Sequence, residues 1–163
     1  MDKYDQALAV LKPLKKKQNP YFLQATYYIG YCYYKQHLYP QALSEFLSLE
    51  ELGGYHKIAP YYIVQIYYAN GQYDKVYELA EELLRNYPDN DYNDELHRLV
   101  GEIYYQKGIY NDAVRHLKAY HQLRDKKKKE MVQNDLYLLG ISCYKEKMYK
   151  DAVTYLKQIK QIP

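Results

Sequence analysis

Histidine, cysteine and paired carboxylates are the side chains of this chain best able to do chemistry, and their spacing argues against it. His37, His56, His97, His116 and His121 form no HExxH, no i,i+4 pair and no cluster with cysteine. A structural or catalytic metal needs three or four such ligands converging, so no metal site is expected. Cys32 and Cys143 lack a CxxC spacing. If the segments that carry them stack in order they stand several hairpins apart, beyond the reach of a disulfide, and two packed thiols are expected. There is no GxSxG, no P-loop and no GxGxxG, because the glycines are isolated. Glu50-Glu51 and Glu81-Glu82 fall where a helix needs a polar outer face. With no nucleophile beside a base, neither catalysis nor a cofactor is expected.

Tyrosine is the residue left to explain. The 163 residues include 25 Tyr, 2 Phe and no Trp, and they carry a formal charge of +3 with a mean hydropathy of −0.69. Tyr brings a large apolar ring with a polar tip, suited to surfaces half buried or awaiting a partner. That composition does not describe a disordered chain. So small a net charge draws neither nucleic acid nor a lipid surface, and no stretch approaches 18 uncharged apolar residues, so no membrane span is expected. The charged first twenty residues do not read as a secretory signal. The compartment stays open: periplasm or cell envelope if this is part of a longer secreted chain, cytoplasm otherwise.

The basic runs Lys15-Lys16-Lys17 and Arg124–Lys129 both fall where a helix should end. Lysines there complement the helix dipole and are expected to be solvated.

What must position these side chains is a repeat. Tyr4-Asp5-Gln6-Ala7, Tyr39-Pro40-Gln41-Ala42, Tyr73-Asp74-Lys75-Val76, Tyr110-Asn111-Asp112-Ala113 and Tyr149-Lys150-Asp151-Ala152 are one phrase written five times, at intervals of 35, 34, 37 and 39 residues. A period of that length means stacked helical hairpins. Ahead of each later phrase stands a pair ending in tyrosine: Tyr33-Tyr34, Tyr67-Tyr68, Tyr104-Tyr105, Cys143-Tyr144. Three residues earlier comes Gly30, Val64, Gly101 or Gly140, and four after the small position comes Phe46, Ala80, Leu117 or Leu156. Small residues facing each other let two helices approach, and the bulky ones a turn away fill the seam. The third copy has Val64 and Val76 at both small positions, so its hairpin should be more open or shifted.

Helices are expected near 2–17, 21–36, 39–52, 57–69, 73–87, 91–107, 110–127, 130–146 and 149–161. Pro13 should bend or shorten the first, and Pro60 should occupy the first turn of the fourth or kink it. Asn70-Gly71 and Lys107-Gly108 supply Gly for tight turns; Lys35–Leu38 and Lys145–Met148 must turn without it. Leu52-Gly53-Gly54-Tyr55 is the most evident hinge.

This pattern resembles the tetratricopeptide repeat family, in its tyrosine-rich bacterial form. Gly30, Gly101, Gly140, Ala42, Ala113 and Ala152 match its small residues, Tyr33, Tyr67 and Tyr104 its first-helix Tyr, and Pro88 its closing Pro. The usual aromatic near the start of the first helix is absent, with Thr26, Pro60, His97 and Leu136 in its place. The resemblance implies an all-α solenoid, a right-handed superhelix of about four repeats (20–54, 55–90, 91–129, 130–163) after a leading half repeat (1–19). It reads as a single array over 1–163, excised from a longer one.

In this family the first helices line a concave groove. Carried over, its groove positions are Tyr27, Tyr31 and Tyr34; Tyr61, Gln65 and Tyr68; Arg98, Glu102 and Tyr105; and Tyr137, Ile141 and Tyr144. Arg98 would hold a partner's carboxylate among the rings. The family's clamp for a carboxyl-terminal peptide needs more basic and asparagine side chains than Lys35, Arg98 and Lys145 supply, so that activity is not carried over. The resemblance implies a non-catalytic scaffold binding a protein or peptide, with self-association through the array's ends a further expectation. The alternatives are a spacer in a larger bacterial envelope or assembly protein, and a sensor of a small ligand or glycan.

Overall fold

The computed structural model describes residues 3–16, 19–53 and 55–160. Met1, Asp2, Lys17 and the hinge residue Gly54 lie outside them. The described residues form α1 (Lys3–Leu11), a 3₁₀ turn (Lys12–Leu14), α2 (Phe22–Lys35), α3 (Tyr39–Glu51), α4 (Ala59–Ala69), α5 (Tyr73–Asn86), α6 (Asn93–Gln106), α7 (Tyr110–Lys126), α8 (Gln133–Lys145) and α9 (Tyr149–Leu156). No strand occurs among them.

Each predicted helix is present, and the shorter bounds have local causes. Pro13 sits at the start of the 3₁₀ turn, where its missing N–H and its ring end the α-helical ladder, so α1 stops at Leu11 rather than Lys17. Pro60 lies in the first turn of α4, the position a helix tolerates. Ahead of α6, Asn93 Nδ2 donates to Tyr87 O (2.8 Å) and Pro88 O (2.9 Å), and the Asn90 carboxamide accepts from Tyr92 N–H (3.3 Å). These side-chain bonds hold 90–92 as a turn, and α6 begins at Asn93 instead of Asp91.

The turn joining first to second helix is the same four times, and the backbone explains why the sequence repeats there. At α2, His37 N–H bonds Tyr34 O and Leu38 N–H bonds Tyr33 O. Gly71 and Gln72 bond Tyr68 and Tyr67, Gly108 and Ile109 bond Tyr105 and Tyr104, and Lys147 and Met148 bond Tyr144 and Cys143. This paired closure is the Schellman motif, which needs a left-handed residue just past the helix. Gly71 (φ 69°) and Gly108 (φ 73°) supply it freely, whereas His37 (φ 58°) and Lys147 (φ 60°) adopt it against a Cβ. The residue pair that ends each first helix therefore holds the two carbonyls that accept its closing bonds.

The seams are as close as the small residues imply. A Cβ on Gly30 would lie 3.0 Å from Phe46, one on Gly101 2.8 Å from Leu117, and one on Gly140 2.6 Å from Leu156. Ala42 and Ala113 are fully buried, as are Phe46 and Leu117.

The chain divides into two compact units, residues 1–75 and 76–163. The division falls within the third copy, the one carrying Val64 and Val76. In the first unit α1 packs on α2, α2 on α3 and α3 on α4; in the second, α6 on α7, α7 on α8 and α8 on α9, with α6 also touching α8. Ile29, Phe46, Leu49 and Ile63 centre the first core, and Leu96, Leu99, Leu117, Tyr120 and Leu139 the second. Cys32 and Cys143 are both free and buried.

Candidate functional site

The first helices present two faces. On α4, Ile63, Val64 and Ile66 are at most 1% exposed, while Tyr61, Gln65 and Tyr68 stay half-buried. On α8, Leu138, Leu139 and Cys143 are buried while Tyr137 (46%) and Tyr144 (56%) are exposed. Tyr27, Tyr31, Tyr34, Arg98, Glu102, Tyr105 and Ile141 are half-buried too. None of the positions named from the sequence is swallowed by a core.

In the first unit these rings form one aromatic cluster around Tyr62, a residue the sequence reading passed over. The Tyr62 ring stacks on Phe46 (5.0 Å between centroids, 8° between planes) and meets Tyr34 (5.1 Å), Tyr31 (5.8 Å) and Tyr27 (6.2 Å) edge-on or tilted. Tyr27 also stacks on Tyr55 at 4.9 Å and 4°. Offset and edge-to-face pairs of this kind add about 0.5–1.5 kcal/mol each beyond burial, so this face is held in shape. Lys35 Nζ stands over the rings of Tyr31 (5.4 Å) and Tyr34 (5.9 Å). Beside the cluster is a cavity of about 450 Å³ lined by Leu11, Leu14, Tyr21, Gln24, Tyr28 and Tyr55, among others.

The second unit is more polar. Arg98 Nε donates to Glu95 Oε2 at 2.8 Å and its NH1 group to Glu102 Oε2 at 3.3 Å, while Gln106 Nε2 donates to Glu102 Oε1 at 3.4 Å. The guanidinium expected to await a partner's carboxylate is thus engaged along its own helix. Glu95, Asp135 and Glu102 together raise its pKa against the opposing effect of burial. Asp135, on α8, is 4% exposed and bonds the hydroxyl of Tyr120, itself 1% exposed on α7. Burial pushes both groups up, the carboxyl because its charged form loses water and the phenol for the same reason.

The basic runs do more than face water. Lys127 Nζ meets the buried Asp94 carboxylate at 2.7 Å and bonds Asp91 O, and Arg124 donates to Glu130 O at 2.8 Å. They tie the end of α7 to the start of α6 and to the following loop. Lys15 likewise pairs with Glu45 at 2.7 Å. Expected to be solvated, these side chains are structural, because Asp94 and Glu45 are drawn into low-exposure positions that require a counter-charge. Lys16, Lys126, Lys128 and Lys129 do remain exposed.

A second polar centre also escaped the sequence reading. His97 on α6 and His116 on α7 face each other across the seam, Nδ1 to Nδ1, at 3.0 Å. Their separation of 19 residues hides them from any i,i+4 search. The signal was present in the repeat register, which sets His97 where the family has a seam aromatic and His116 beside the seam residue Leu117.

No family model matches the sequence, and no curated protein matches it. Solved structures do. MamA residues 41-end from Desulfovibrio magneticus RS-1 superposes with a TM-score of 0.74 at 16% identity, over 96% of this chain and 83% of that one. A MamA RS-1 double mutant gives 0.75, also at 16%, with the same coverage. A Podosopora anserina putative kinesin light chain with nearly identical tetratricopeptide-like repeats gives 0.63 at 14%, over 96% of this chain and 81% of that one. Identity this low speaks to fold alone, and the fold it establishes is the all-α, tetratricopeptide-like helical-repeat solenoid.

Proposed function

We propose that the chain is a non-catalytic interaction module, and that the exposed faces of its first helices take a protein or peptide. The observation that carries this reading is the split of α4 and α8 into a buried aliphatic side and an accessible tyrosine side. Tyr rings give contact area at low entropic cost and their hydroxyls give adaptable hydrogen bonds, and such residues are enriched at binding surfaces. The residues proposed to make contact are Tyr27, Tyr31, Tyr34, Tyr61, Gln65 and Tyr68 in the first unit, and Arg98, Glu102, Tyr105, Tyr137 and Tyr144 in the second. That the copies act as a single array belongs to the same proposal.

Selecting a random 12-residue phage-displayed peptide library on the full chain tests it. Binders that survive competition with free peptide are expected, and Tyr68→Ala with Tyr105→Ala should abolish their capture while helicity is unchanged. Capture unaltered by the pair of substitutions would sink the reading. A second reading, a small-ligand or glycan sensor, is favoured by the tyrosine-lined cavity beside Tyr55. It predicts glycan-array binding lost with Tyr28→Ala, and an empty peptide selection.

A further inference from the structure

Tyr105, Tyr137 and Tyr144 give the second unit an accessible aromatic face on α6 and α8. What distinguishes this face is the charge set among its rings. Glu95, Glu102 and Asp135 surround Arg98, whose Nε and NH1 groups already rest on the two glutamates, while Arg124, Lys127 and Lys129 share a pocket with Glu95. Arg98 is neutralised by this pairing, and carboxylate is in surplus on its Glu102 side, where the other group bonded to Glu102 is the neutral Gln106 amide. The Glu95 and Glu102 side chains keep 30% and 20% of their surface open, so that surplus reaches solvent. Tyr105 lies three residues beyond Glu102, on the same side of α6, and its phenol is pushed up by burial and by the neighbouring Tyr137 and Tyr110.

We infer that this α6–α8 face docks a basic segment of a protein partner, with an arginine or lysine side chain held by the Glu95 and Glu102 carboxylates against the rings of Tyr105 and Tyr137. The inference rests on the interaction-module reading and adds the sign of the partner's charge. Charge complementarity selects the occupant: an acidic segment would meet carboxylates at close range, and like charges in contact repel. The rings select it as well, because a tyrosine face attracts a cation within about 6 Å of its centre. This chain uses that attraction internally, with Lys145 over Tyr110 at 6.0 Å and Lys75 over Tyr67 at 5.0 Å. On this inference the partner's charge is opposite to the one expected from the sequence, in which Arg98 would have gripped a partner's carboxylate.

The test selects the 12-residue phage library on the intact chain and measures one winning peptide, synthesised with a fluorophore, by anisotropy against variants whose thermal melts are checked. The selected pool is expected to be enriched in Arg and Lys over Asp and Glu. Glu95→Gln with Glu102→Gln should weaken the peptide about tenfold or more, and Arg98→Gln, which removes the cation competing for those carboxylates, should tighten it. A neutral or acidic pool overturns the inference while the module reading stands, as does binding that survives the double glutamine variant. Binding lost in a folded Arg98→Gln protein also overturns it. If Arg98→Gln fails to fold, Glu102→Gln alone decides, with undiminished affinity counting against. An empty selection removes both the module reading and this one.

Discussion

His97 Nδ1 stands 3.0 Å from His116 Nδ1, and His116 Nε2 stands 3.1 Å from Glu81 Oε1 without the alignment of a hydrogen bond. Only one of the two facing Nδ1 atoms can carry a hydrogen, so the pair is compatible with two neutral rings and not with two imidazolium ions. Burial lowers His97 to about 4 and His116 to about 3; the His97 ring adds to the lowering at His116, and Arg115 adds to both. Tyr104, whose ring lies 5.7 Å from that of His116, completes the surroundings.

A depressed pKa fixes the sign of the pH dependence. Between about 6.5, the ordinary histidine value, and about 4, the unfolded chain binds protons that the folded chain refuses. Stability is then full above pH 6.5 and is lost as pH falls towards 4. Urea denaturation at pH 7.5, 6, 5 and 4.5 should show a decline that is flattened in His116→Phe. Equal slopes for the two proteins would place the acid sensitivity elsewhere.

The Schellman turns predict a gain. Lys147 holds φ 60° where Gly71 and Gly108 serve two of the other copies, and a Cβ in that region costs about 1 kcal/mol. Lys147→Gly should therefore raise stability by about 0.5–1 kcal/mol, read as a higher urea midpoint at unchanged slope. Gly108→Ala should lower it by a similar amount. A loss on Lys147→Gly would mean that the side chain does more than the backbone argument allows.

The seam predicts a loss that a second substitution repairs. An added methyl at Gly101 falls 2.8 Å from Leu117, so Gly101→Ala should cost about 1–3 kcal/mol despite alanine's better helix propensity. Combined with Leu117→Ala the cost should be less than the sum of the two, a coupling that a double-mutant cycle reads directly. Additive losses would show that the helices separate without strain.

The helices, their hairpin turns and their close seams were legible in the sequence because each follows from local rules. Tyr-x-x-Ala marks a start, a left-handed residue marks a stop, and Gly30, Gly101 and Gly140 mark an approach. The aromatic faces were legible only by analogy of register, and the register pointed to Tyr61 when the hub of the cluster is its neighbour Tyr62. A one-residue difference turns a helical side chain by about 100°, and nothing local says which of two adjacent tyrosines meets Phe46. The internal pairing of Arg98 was missed for a related reason. Its partners at i−3 and i+4, Glu95 and Glu102, were in plain view, yet which cation is already paired depends on side-chain placement. The pairs His97–His116 and Asp94–Lys127 join residues 19 and 33 positions apart, and only the stacked helices bring them together.

Asp94 yields the last prediction. Its side chain is 6% exposed and meets Lys127 Nζ at 2.7 Å, with Arg124 NH1 at 3.8 Å. A carboxylate taken so far from water must be compensated, and its loss leaves two cations facing a polar gap. Asp94→Ala should cost about 3 kcal/mol, well above the ~0.5 kcal/mol of the exposed Lys160–Glu130 pair at 3.4 Å. Salt separates the two further, since 0.5 M NaCl screens surface charges and reaches a buried pair poorly. Denaturation of Asp94→Ala, Lys127→Ala and the double variant, at low and high salt, should give a coupling that persists in salt. A coupling near zero, or one erased by salt, would show that α7 is fastened to α6 by packing, with Lys127 a bystander.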